Sequence, residues 1–139
     1  MPRFYIRPEF WDPNNLMLCE SESHHCLNVL RLKEGDKVSA FNGQGEEVHT
    51  KIEIATKGQV QLKESQPTQS IKSKTKIVLG QAIPKGKNMD LIIEKATELG
   101  ISDIHPIISD RSIVRISSNE LVKKQEKWQR VAIEACKQS

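Results

Sequence analysis

The spacing of hydrophobic and polar positions changes several times along the chain, and each change predicts a different element. Residues 3–7 are aromatic, β-branched and basic, and residues 16–19 are a short apolar run, so both predict strands. Over residues 21–32 the spacing turns helical: Cys26, Val29 and Leu30 share one face, while His24, Asn28 and Arg31 form a polar stripe. A short amphipathic helix follows from this, closed by the Glu34-Gly35-Asp36 turn. Strand character returns over residues 37–42, and Gly43 and Gly45 suit the positive φ angles of a tight hairpin. From Val48 the alternation is regular, with Val48, Thr50, Ile52 and Ile54 on one face and Glu47, His49, Lys51 and Glu53 on the other. A turn at Lys57-Gly58 leads to a further strand through Val60 and Leu62. Many short strands with one helix predict a small β-barrel over residues 1–70, because closure hides the edges of such a sheet.

Residues 66–76 contain a proline, several polar residues and three lysines without either period, which marks a linker. Beyond it the pattern is α/β. Residues 77–83 are almost continuously apolar, as expected of a strand buried on both faces of a parallel sheet. A helix over residues 88–99 would carry Met89, Ile92, Ile93, Ala96 and Leu99 on one side, with Gly100 just past its end. A strand over residues 103–108 completes a βαβ unit. Ser117 and Glu120 form a capping box for a last helix with Leu121, Trp128, Val131, Ala132 and Ala135 as its stripe. Two or three strands cannot cover such a layer, so residues 71–139 read as the opening part of a domain, and the whole as α+β.

Composition adds little to the fold and more to the partners. No apolar run approaches the roughly 20 residues of a membrane helix, and the first residues lack a signal core, so no membrane partner and a cytoplasmic location are expected. Three cysteines without C-x-x-C spacing argue for reduced thiols, and the adjacent histidines beside Cys19 and Cys26 point too far apart to predict a metal site. Net charge is +3, unevenly placed: residues 1–70 carry 8 Lys/Arg against 10 Asp/Glu, and residues 71–139 carry 13 against 8. The basic second part suits a polyanion such as RNA.

The phrase from Gly80 to Lys87 resembles a P-loop but fails it, since five residues separate the glycines and Asn88 stands where Ser or Thr should be. Lys85 and Lys87 nevertheless place positive charge before a helix N-terminus, where a phosphate can bind. Asp90, Glu94 and Glu98 recur along that helix, and with Lys95 they read chiefly as a solvated charge stripe. Arg111 and Arg115 follow a strand, in the place where α/β sheets hold ligands, unless Asp110 takes them in an ion pair. Phe4, Tyr5, Phe10 and Trp11, interleaved with Arg3 and Arg7, suit either base stacking or a barrel core.

Taken in order, several phrases resemble one family. They are the run from His25 to Arg31, then Lys33-Glu34-Gly35-Asp36 and Phe41-Asn42-Gly43. Next come Gln81 to Lys87, Met89-Asp90 and Glu94 to Gly100. Pro106, Arg111-Ser112, Lys127-Trp128 and the stretch from Ala132 to Ser139 continue the series. The set is similar to the small-subunit ribosomal RNA methyltransferase E family, which makes N3-methyluridine in 16S rRNA. The resemblance implies a PUA-like RNA-binding barrel in front of a trefoil-knotted SPOUT domain, with S-adenosyl-L-methionine held in the knot. The knot would also form a homodimer. The family's glycine-rich G-P-E-G-G loop and its late L-G-x-R-I-L-R segment are not in this sequence, so it corresponds to the barrel and the opening of the catalytic domain. By itself such a chain is expected to be inactive and to contain no cofactor-binding residue. The resemblance makes Arg111 the candidate catalytic residue, and His25, Arg31, Lys85, Lys87 and Arg115 the candidate contacts to 16S rRNA or the small subunit. A non-catalytic PUA-like RNA-binding protein is the alternative.

Overall fold

The two changes of period divide what the molecule builds. The structure is a computed structural model that describes residues 1–66, 75–111 and 115–138, and its chain forms two units, Met1–Lys72 and Ser73–Ser139. Most of the expected linker lies outside the described residues.

The first unit is a curled five-stranded sheet. Its strands are β1 (Arg3–Tyr5), β2 (Leu16–Met17), β3 (Lys37–Phe41), β4 (Glu47–Thr56) and β5 (Gln59–Gln66), in the order β1-β3-β4-β5-β2. β1 runs parallel to β3, and the other ladders are antiparallel. A parallel neighbour needs a crossover, and the segment between them carries α1 (Glu20–His24) and a π-helical turn over His25–Val29. The expected barrel is therefore a half-barrel: β1 and β2 are its edges, with no ladder between them among the described residues. Edges of three and two residues offer little to a foreign strand. Alternation fills the concave side, where Phe4, Ile6, Leu16, Leu18, Val38, Ala40, Ile52, Val60 and Leu62 pack with Cys26 from the helical turn.

Two local features change which residues face that core. At the π turn the N–H of Leu30 bonds to the His25 carbonyl five residues back, 2.9 Å, and this wider turn carries Val29 and Leu30 outward. They are 60% and 40% exposed, contrary to the helical-face reading, and Leu27 and Leu32 pack on the core instead. On β4 the pairing slips between Ile52 and Ile54, leaving Glu53 as an extra residue. Such a bulge inverts the faces beyond it, so Ala55 packs on the core while Ile54 is exposed.

The second unit holds β6 (Val78–Ala82), α2 (Asn88–Glu98), β7 (Asp103–Ile107) and α3 (Ser118–Gln138), with β6 and β7 parallel. Ile83, Met89, Ile93 and Trp128 form its core, so the amphipathic stripes of the two helices meet each other. Gly100 ends α2 at φ 88°, and the Ser117 hydroxyl accepts the Glu120 N–H at 3.3 Å. The expectation for the 77–83 run fails, because Ile77 and Val78 are exposed: β6 and β7 have no sheet neighbour beyond each other among the described residues. Leu99, expected on the buried stripe of α2, is 85% exposed at the helix end.

Candidate functional site

In the first unit the ordered phrases turn out to hold turns. Asp36 accepts the Lys33 N–H at 2.8 Å, Gly35 takes φ 90° between them, and the Glu34 carboxylate accepts the Ala55 N–H at 3.1 Å. Buried Asn42 accepts the N–H groups of Gln44 and Glu46 at 2.8 and 3.3 Å, and its amide donates to the Glu46 carboxylate. Gly43 sits at φ 74°, and a Cβ there would lie 3.4 Å from the Tyr5 ring. These residue types are required by backbone geometry.

The run from His25 to Arg31 does something further. His25 opens the π turn half-buried, with its ring edge-on to Phe4 at 6.2 Å between centroids. Arg31 follows the turn at φ 55°, the one non-glycine residue with positive φ among those described, and its side chain is exposed. A left-handed conformation costs a side-chain-bearing residue roughly 1–2 kcal/mol. The conformation lets the Leu32 N–H reach back to the Cys26 carbonyl at 3.0 Å, which closes the turn. Neither residue is in an ion pair among the described residues, so the arginine is available to a phosphate.

The aromatic cluster at the N-terminus divides. Phe4 is core and Phe10 is exposed, while Tyr5 tilts against Phe41 at 5.6 Å. The Arg3 guanidinium lies 4.9 Å above the Phe41 ring and holds Glu47 through two hydrogen bonds of 3.1 and 2.8 Å. The Ser39 hydroxyl also donates to Glu47 at 2.9 Å. Burial alone raises the Glu47 pKa, but the Arg3 and Ser39 hydrogen bonds and the charges of Arg3 and His49 outweigh it and hold the carboxyl below its ordinary value. Sequence reasoning missed this group, because only strand register puts Arg3 of β1, Ser39 of β3 and Glu47 of β4 on one face of the sheet, with β3 between the other two strands.

In the second unit, topology gathers the expected cations. The loop with Lys85, Gly86 and Lys87 leaves the carboxyl end of β6, and Arg111 lies just beyond the carboxyl end of its parallel neighbour β7. Ile83 N–H bonds to the Ile107 carbonyl at 3.0 Å, which holds the two strand ends together. Gly86 takes φ 76°, and Lys87 precedes α2 with no side chain capping the helix. Lys85, Lys87, Arg111 and Arg115 are all exposed, and none is in an ion pair among the described residues. The Asp110 pairing considered for the arginines is thus not formed. Residues 112–114 lie outside the described residues, including Ser112 of the ordered phrases.

The carboxylates of α2 follow the solvated reading. Asp90 pairs with Lys127 at 3.0 Å, and Lys95 with Glu98 at 3.2 Å and Glu94 at 3.6 Å. These contacts hold the Lys95 pKa above its ordinary value, with the Glu98 hydrogen bond as the main cause. Among the described residues no three His, Cys, Asp or Glu side chains converge as a metal site.

Comparison with known proteins bears on both units. A family model described as an RNA methyltransferase PUA domain matches residues 18–65, and one described as an RNA methyltransferase domain matches residues 71–139. The ribosomal RNA small subunit methyltransferase E of Bacillus subtilis is 29% identical over all of this chain and 56% of its own length. That of Synechocystis sp. is 31% identical over 99% of this chain and 44% of its own length. A crystal structure of a ribosomal RNA small subunit methyltransferase E from Neisseria gonorrhoeae, bound to S-adenosyl methionine, superposes with a TM-score of 0.81. It is 33% identical and is matched over 99% of this chain and 56% of that one. The chain thus spans about half the length of the curated relatives it matches. With both family models satisfied in order and these relatives aligned along nearly its whole length, the chain belongs to the ribosomal RNA small subunit methyltransferase E family.

Proposed function

We propose that this chain takes part in S-adenosyl-L-methionine-dependent methylation of N3 of a specific uridine in 16S ribosomal RNA. In this reading it supplies the RNA-binding surface and one wall of the active site. Residues 1–70 act as a PUA-like RNA-binding domain, and residues 71–139 as the first part of a knotted SPOUT domain that pairs two copies in the cytoplasm. The observation that carries the reading is the position of exposed Lys85, Lys87 and Arg111 just beyond the carboxyl ends of adjacent parallel strands, with none of them in an ion pair among the described residues. Ligands of α/β sheets bind at that edge.

The chemistry assigns work to these cations. Uracil N3 carries a weakly acidic imide proton, so the base must lose it and the anion must be stabilised. Arg111 is the catalytic residue in this proposal: its guanidinium donates to one of the carbonyl oxygens flanking N3, where negative charge develops, and leaves N3 open to the methyl group. Lys85, Lys87 and Arg115 hold neighbouring phosphates, and His25 and Arg31 contact the RNA from the first unit. S-adenosyl-L-methionine supplies the electrophilic methyl group, and no residue of this chain is assigned to holding it. The target lies in folded RNA, so recognition rests on shape and phosphate contacts together with one exposed base.

Calorimetric titration of S-adenosyl-L-methionine tests the proposal, using this chain and a form extended by the remaining segment of its Bacillus subtilis relative. Binding by the extended form alone is the expected result. Binding by neither form overturns the enzymatic reading and leaves a non-catalytic RNA-binding protein, while equal binding by both overturns the assignment of cofactor binding to residues outside this chain.

A further inference from the structure

The outer face of the half-barrel carries a charge arrangement that the readings above leave unexplained. The registers place Lys37 of β3 opposite Lys51 of β4, and Lys51 opposite Lys63 of β5. Directly opposed residues of an antiparallel ladder share a face, so three ammonium groups form one row across three strands. This row lies in a part of the chain whose first 70 residues carry more acids than bases. Like charges directly opposite each other on a ladder destabilise it. One lysine is compensated, since Lys63 pairs with Glu53 at 3.0 Å. Lys37 and Lys51 are in no ion pair among the described residues. Asp36, beside Lys37, is engaged by the Lys33 N–H, and Glu64 belongs to the opposite face, across from Thr50.

A groove lies beside these two lysines. It has a volume of about 320 Å³ and is lined by Lys37, His49, Thr50, Lys51, Ser65 and Gln66, with Met1 at its rim. The backbone makes this groove: β5 has an extra residue at Ser65, where the pairing slips from His49↔Gln66 to Thr50↔Glu64. The Ser65 hydroxyl donates to the His49 carbonyl at 3.1 Å, which fixes the bulge. Among the described residues no carboxylate lines the groove. Bulges of this kind splay a strand end and re-aim its side chains.

We infer that this groove is a phosphate-contact site for the RNA backbone, with Lys37 and Lys51 as its two cations and Lys63 as a flanking one. The inference rests on the RNA-binding reading proposed above and extends it to a surface distinct from His25 and Arg31. A polyanion removes the repulsion between the opposed lysines, and their ammonium groups donate to phosphate oxygens. Ammonium groups without base-reading partners give affinity without sequence preference.

The test is fluorescence anisotropy of a labelled RNA hairpin with the 139-residue chain, over a series of salt concentrations, comparing wild type with a Lys37→Gln/Lys51→Gln double variant. Each lost phosphate contact flattens the log–log salt slope by about 0.7–0.9, so the double variant should be shallower by about 1.5 and bind several-fold more weakly at low salt. Thermal unfolding accompanies the measurement, and the variant should melt no lower than wild type, because a repulsion has been removed. RNA binding by wild type with an unchanged slope in the variant overturns the groove alone. No RNA binding by wild type overturns both the groove and the RNA-binding reading. Competition at equal ionic strength separates sources of phosphate: displacement of the hairpin by inorganic phosphate, or by polyglutamate, as effectively as by unlabelled RNA overturns the assignment to RNA backbone.

Discussion

Replacing Arg31 by glycine should strengthen the fold while weakening RNA binding, and the two effects can be read separately. Arg31 stands at φ 55° with its side chain exposed. A left-handed conformation costs a non-glycine residue roughly 1–2 kcal/mol. Glycine removes that cost but frees the unfolded chain, which takes back about 0.4–1 kcal/mol. The balance is a stabilisation of about 0.5–1 kcal/mol. For a domain of this size that is a rise of a few degrees in Tm, taking about 4–8 °C per kcal/mol. The two units need not melt together, so unfolding is best followed at the amide signals of Val38 and Val60 in the first core. In the same variant, loss of one phosphate contact should flatten the salt slope of RNA binding by about 0.7–0.9. A lowered Tm would refute the reasoning, because it would mean that the arginine side chain supports the turn. A raised Tm with unchanged RNA affinity would show that the strained residue is not an RNA contact.

Other outcomes follow from the same structure. Thiol titration at about pH 8 should label exposed Cys19 and leave Cys26 silent until the fold opens, because only the thiolate reacts. Burial, reinforced by Asp36 and Glu22, pushes the Cys26 thiol up to about 11; equal labelling rates would contradict this. Glu47→Gln should destabilise the first unit at neutral pH. The Glu47 pKa is lowered on folding, so its contribution is present above its ordinary value of 4.5 and is lost as pH falls through the lower folded value. The gap between wild type and variant should therefore shrink in acid, and a gap that is constant through the acid range would count against the Arg3–Glu47 pairing. Trp128→Ala removes the largest side chain of the second core, and such truncations cost about 3–5 kcal/mol. Chemical denaturation should show the second unit lost or nearly so, with the first unit's transition unmoved.

The strands and helices were legible because their periods are strong: alternation located β4 and β5, and the stripe from Met89 to Ala96 located α2. What the sequence left hidden depends on single extra residues. An N–H reaching five residues back instead of four makes the π turn, and nothing in the composition of residues 25–29 announces it. The slips at Glu53 and Ser65 likewise decide which residues face the core or line the groove. Burial of β6 was over-read, since its apolar run reports what a strand can pair with and not what covers it in this chain. For the candidate site, the position of Lys85, Lys87 and Arg111 after strands is legible in the sequence, because βαβ topology fixes where strand ends lie. The meeting of Lys37 and Lys51 is not, because it depends on register between strands.

The central claim is that this chain serves methylation of uridine N3 in small-subunit RNA. Its most direct test is to incubate small subunits lacking N3-methyluridine with S-adenosyl-L-methionine and this chain continued by the remaining segment of its Bacillus subtilis relative, then digest the RNA and identify the methylated nucleoside by mass spectrometry. The account predicts N3-methyluridine in 16S rRNA, strongly reduced by Arg111→Ala. No methylation, or a methyl group on any other nucleoside position, would contradict it.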